Sequence, residues 1–125
     1  MLEVSDEQFE QMVGDGIDAI PELYQKRLEN VAFIVEDEPT PGQREKLKLA
    51  CNQSLLGLYE GVPLPQRGGA TKLLPDKITL FKNPLIAHSR DLADLKEQVR
   101  HTIWHEVAHY YGLGHQRIHQ LDGKH

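Results

Sequence analysis

Cysteine is almost missing from this chain. Cys51 is the one thiol in 125 residues, so no intrachain disulfide can form, which agrees with a reducing compartment. Beside Ala50 in an amphipathic segment, it reads as a small buried apolar residue. Long apolar runs are missing as well: none approaches the ~18 residues needed to cross a bilayer. The first residues, MLEVSDEQFE, are acidic and lack the basic and apolar regions of a secretion signal, so a cytoplasmic protein is expected. Basic charge is the scarcer sign. Fourteen Lys and Arg against nineteen Asp and Glu give a net charge of −5, which argues against nucleic acid or an anionic membrane as partner. Neither an internal repeat nor a low-complexity tract occurs. What remains, 39% hydrophobic and 26% charged residues, falls in the globular range and suits one domain over 1–125 with a modest core.

Ser5 with Gln8 three residues later forms a capping-box pattern, and Phe9, Met12, Val13, Ile17 and Ile20 follow at helical spacing. Gly14 and Gly16 weaken this helix and Pro21 interrupts it, with a shorter continuation on Leu23, Tyr24 and Leu28. Val31 to Val35 reads as a buried strand, closed by Glu36-Asp37-Glu38 and Pro39. Thr40 as N-cap and Pro41 open a helix expected to run to about Ala50. Leu55 to Tyr59 forms a second strand in which Gly57 marks a bulge or a close backbone approach. The loop from Gly61 to Asp76 holds three prolines and three glycines in sixteen residues. Loops of this length suggest a flap over a substrate or a mobile connection, with Arg67 as a candidate for a substrate carboxylate. Lys77 to Lys82 is the third strand, ending at Asn83-Pro84. Ser89 and Asp91 offer N-caps for a last helix of about twenty residues, whose stripe of Leu92, Leu95, Val99, Ile103 and Val107 docks on the sheet. Trp104 and Tyr111 widen its buried side.

That helix carries His105-Glu106-Val107-Ala108-His109-Tyr110-Tyr111-Gly112-Leu113-Gly114-His115, the pattern H-E-x-x-H-x-x-G-x-x-H. Residues four apart on a helix lie about 40° apart in rotation and about 6 Å apart along the axis, so His105 and His109 present imidazoles from one face. This suits two ligands of a tetrahedral Zn²⁺. Glu106 lies at the rim of that face, where a carboxylate reaches a water on the metal and acts as general base. Gly112 can take φ > 0, end the helix and return His115 as the third ligand. Five fixed positions arise by chance in such a chain with a probability of roughly 10⁻⁴. His101 lies one turn earlier, but three ligands on one straight helix span about 12 Å, too far for one ion. His119 is a substitute for His115 if the tail is helical, and His88 and His125 read as surface residues. Tyr110 is a weak candidate for stabilising an oxyanion, against its reading as a partly exposed residue near a helix end.

The H-E-x-x-H-x-x-G-x-x-H stretch matches the metzincin consensus. With VAFIVED, LLGLYEGVPL and LPDKITLFKNPL, the chain resembles the small bacterial zincin-like metallopeptidases, or minimal metalloproteases. The resemblance implies an α/β (α+β) zincin-like fold: a small mixed sheet of three to four strands packed against helices, with a long C-terminal active-site helix. It implies His105, His109 and His115 as zinc ligands and Glu106 as catalytic base. One departure is plain. Metzincins place a methionine turn under the metal after the third ligand, whereas the methionines here are Met1 and Met12 and ten residues follow His115.

The leading expectation is therefore a zinc peptidase acting on peptides or unfolded polypeptide, with a substrate strand laid along an exposed sheet edge at 77–82. A catalytically weak or inactive zinc-binding module for regulation or interaction is the alternative, and a small-molecule amidase a third.

Overall fold

The structure is a computed structural model that describes residues 2–28, 30–46, 55–61 and 76–112, with Lys46 described through its backbone alone. Ser5 caps α1 (Asp6–Asp18) with the expected reciprocal bonds: its hydroxyl accepts from the Gln8 amide, and its own amide donates to the Gln8 side chain. Pro21 ends the run, and α2 (Glu22–Gln25) follows as a single turn. Gln25 ties the two together, donating 2.8 Å to the Ile20 carbonyl at the open end of α1. Tyr24 and Leu28 pack on the core, whereas Leu23 is 70% exposed, because so short a helix turns one side only inward.

Three strands follow. β1 (Val31–Glu36) precedes α3 (Pro41–Lys46), whose Thr40 and Gln43 make a second capping box. β2 (Gly57–Glu60) and β3 (Asp76–Phe81) complete a mixed sheet of order β1-β3-β2, with β1 parallel and β2 antiparallel to β3. Two expectations change here. β1 is half-buried rather than buried, since among the described residues it borders the sheet on one side. β3 lies in the centre, hydrogen-bonded on both sides, so no substrate strand can be added along 77–82. The third strand also stops at Phe81. Lys82 begins α4 (Lys82–Ala87), because Pro84 falls in its first turn, where a missing N–H costs nothing. The remainder of the helix expected to run from Pro41 to about Ala50, Cys51, the loop with Arg67, and His115, His119 and His125 lie outside the described residues.

The last helix, α5 (Leu92–Tyr110), is 19 residues long and is capped by Asp91, which accepts from the Asp94 amide. Ser89 instead donates to the Leu85 carbonyl of α4. Leu95, Val99, Ile103 and Val107 are fully buried, each contributing about 1.5–3 kcal/mol by removal from water. Leu92, at the open end of the stripe, is 43% exposed. Trp104 is in the core, and Tyr111 is half-buried against it.

Two glycines decide how closely α5 is packed. A Cβ on Gly16 would sit 2.7 Å from Ile103 Cδ1, so α1 approaches α5 over bare backbone. A Cβ on Gly57 would sit 2.6 Å from Thr102 Cγ2 and 3.2 Å from the Thr79 carbonyl oxygen. Gly57 therefore marks the close backbone approach, here between β2 and α5. Replacing it by alanine should force the helix off the sheet and destabilise the protein by about 1–3 kcal/mol. Gly14, with nothing within 4 Å of its would-be Cβ, is the control: Gly14→Ala should stabilise by about 0.5–1 kcal/mol. Urea unfolding of the two variants checks both signs.

Candidate metal centre

One face of the last two turns of α5 carries His105, Glu106 and His109, whose ligating atoms all lie within 4.8 Å of one another. The two imidazoles are half-buried, with ring centroids 4.6 Å apart and planes at 62°. His101 lies one turn back, its ring 6.5 Å from that of His105, outside the group. Tyr111 caps the helix and Gly112 follows at φ 73°, the left-handed conformation expected where the chain leaves the helix toward His115.

Glu106 is 7% exposed, turned toward β2 rather than into solvent. Its Oε1 accepts from the Tyr59 amide at 2.9 Å and lies 3.5 Å from His109 Nδ1. The carboxylate beside His109 holds that imidazole above its ordinary value, and partial burial opposes the shift without cancelling it. With Nδ1 beside the carboxylate, Nε2 is the nitrogen His109 can give to a metal. In front of this face is a cleft of about 230 Å³ lined by Leu56, Gly57, His101, Thr102, His105 and Glu106.

Two imidazoles one turn apart, with a carboxylate beside them, could hold a borderline-soft divalent ion such as zinc. The helix fixes the spacing of the two imidazoles, and their ligating atoms lie close enough to share one ion. A model of zincin-like metallopeptidases matches residues 28–125. The chain belongs to that family. No functionally curated protein matches it. Among solved structures, it is similar to a conserved hypothetical protein from Thermo thermophilus, with 22% identity, a TM-score of 0.59, and 97% of this chain and 100% of that one covered. At that identity the likeness speaks for the fold alone.

Tyr110, weighed for an oxyanion role, is 2% exposed, and its hydroxyl donates 2.7 Å to the Arg27 carbonyl. It faces the core beside α2, not the metal face. Sequence reasoning passed over Tyr59 and Asp76. The Tyr59 hydroxyl donates 2.6 Å to Asp76 Oδ2, and Asp76 is fully buried. The signal present in the sequence, an acid at the start of a strand, acquires meaning only once β2 and β3 are paired. No helix among the described residues is long and apolar enough to cross a membrane.

The Glu106–His109 contact predicts two opposite pH dependences, one for the metal-free protein and one for zinc bound through His109. In the metal-free protein the raised folded value stabilises fully below the unfolded value of about 6.5, and this contribution is lost as pH rises through the folded value. Zinc requires the neutral ring, so protons compete with it on the acid side. Between about pH 6 and about pH 8, zinc affinity should therefore rise while the stability advantage of metal-free wild type over His109→Gln shrinks. Calorimetry on both proteins tests this, and a zinc affinity flat over that range contradicts it.

Proposed function

We propose that this zincin-like protein is a zinc-dependent peptidase that hydrolyses peptide bonds in peptides or unfolded segments. The observation that carries the reading is the convergence of His105, His109 and the adjacent Glu106 on one helix face, beside a cleft, in a chain of this family. His105 and His109 hold the metal, with His115 as the third ligand beyond Gly112. Zinc, when bound, supplies Lewis acidity to a water and to the scissile carbonyl.

The chain's own residues do the rest. Glu106 accepts the proton from the attacking water and delivers it to the leaving amine, so one carboxylate serves first as base and then as acid. Burial suits it to this role, because few competing waters reach it. The strand beside the metal face is β2, and the substrate lies in the cleft between them, which Leu56 and Gly57 line from the strand and His101 and His105 from the helix. The cleft of about 230 Å³ is small, which favours extended, unfolded polypeptide over a folded surface. That same small size supports the second reading, a zinc-binding module without turnover.

Glu106→Gln separates the two. It should retain stoichiometric zinc while losing at least ~10²-fold in peptide hydrolysis. His105→Ala should lose the metal as well. Equal cleavage of a peptide library by wild type and Glu106→Gln would sink the peptidase reading.

A further inference from the structure

We infer that Tyr59 is a positioning residue for Glu106, anchored in turn by the buried carboxylate of Asp76. The kinetic part of this inference rests on the peptidase reading, and the geometric part does not. In the antiparallel pair of β2 and β3, the Phe81 amide donates to the Leu56 carbonyl, which sets the alternation of the ladder. Leu58 and Glu60 therefore turn their backbone groups toward β3, whereas Gly57 and Tyr59 turn theirs to the outer side. The outward amide of Tyr59 is the one that donates to Glu106 Oε1. A backbone amide is a fixed donor, so the direction of Glu106 is set by where β2 holds residue 59.

That position is itself fixed from the other end of the residue. The Tyr59 ring packs edge-on against Tyr110 at 5.9 Å, and its hydroxyl donates to Asp76 at the start of β3. Asp76 has little freedom: it is fully buried, its amide donates to the Asn30 carbonyl, and a Cβ on Gly61 would come within 2.4 Å of its carboxyl carbon. A hydrogen bond to a carboxylate is stronger than one between neutral groups, which makes it an effective tether. The metal face and the sheet are thus linked as Glu106 to the Tyr59 backbone, and the Tyr59 side chain to Asp76. Tyr59 touches Glu106 through its backbone amide, and neither its side chain nor Asp76 belongs to the group on the metal face.

Amide hydrogen exchange on the zinc-loaded protein tests the geometry, and steady-state cleavage tests its consequence. Glu106→Ala should raise the exchange rate of the Tyr59 amide by roughly tenfold, the loss of one charge-assisted bond. Tyr59→Phe and Asp76→Asn should each raise it severalfold and lower kcat severalfold, with KM, zinc affinity and the folded fraction unchanged. The double variant should be no worse than the poorer single one, since both act through one bond. An unchanged Tyr59 amide in Glu106→Ala overturns the inference, as does a loss of kcat in Tyr59→Phe that merely follows a loss of folded protein. A wild type without turnover that keeps the exchange pattern supports the anchoring of Glu106 and removes the peptidase reading alone.

Discussion

Helix α5 rests on β2 and β3 at a separation that only a glycine at position 57 permits, and the metal face follows from that contact. A Cβ there would meet Thr102 and the backbone of β3, and would lie 3.5 Å from Glu106 Cγ. Closer packing brings the Glu106 carboxylate within hydrogen-bond reach of the strand. The apolar stripe of Leu95, Val99, Ile103 and Val107 supplies the energy of docking but does not set its distance. Distance is set by the missing side chain, and with it the direction in which the carboxylate points.

Burying carboxylates carries a desolvation cost that has to be offset by hydrogen bonds. Glu106 and Asp76 are both buried, and Tyr59 donates to each, by its amide to one and its hydroxyl to the other. One residue on a four-residue strand therefore satisfies two acids on different elements. The end of α5 is held similarly by aromatic contacts: Tyr24 packs edge-on against Trp104 and Tyr111, and the Tyr111 hydroxyl donates to the Tyr24 carbonyl. Burial raises the Tyr111 phenol, keeping it protonated and able to donate. The final turn, which carries His109, is thus fixed from α2 as well as from the sheet.

What could be read from the residues was mostly local. The capping box at Ser5, the N-cap at Thr40 and the periodicity of α5 each depend on neighbours a few positions away, and all are found. The pair of histidines four apart works the same way, since helix geometry alone places them. Gly57 could be marked as a bulge or a close approach, but its partners Thr79 and Thr102 lie far along the chain. What escaped depends on partners far along the chain. Tyr110 bonds to residue 27, and nothing in its helical position says so. Strand periodicity gives the faces of 76–81 but not its neighbours, so its central place in the sheet was invisible. Pro84 misled for another reason: proline reads as a breaker, yet it is at home in a first helical turn.

The way α5 is held also bears on what a metal does here. In small zinc-stabilised domains the binding free energy is the folding free energy, because the ligands have no other reason to converge. In this zincin-like chain helix geometry brings His105 and His109 together, and that helix is docked by four fully buried aliphatic side chains and by the α1 contact at Gly16. Helix geometry and packing account for the spacing of that pair. An ion bound there would meet a helix held by its core contacts, with an acid fixed by a strand amide beside it. That division of labour, with a packed helix setting the spacing of the two imidazoles, separates this helix from the ligand segments of a domain folded by its metal.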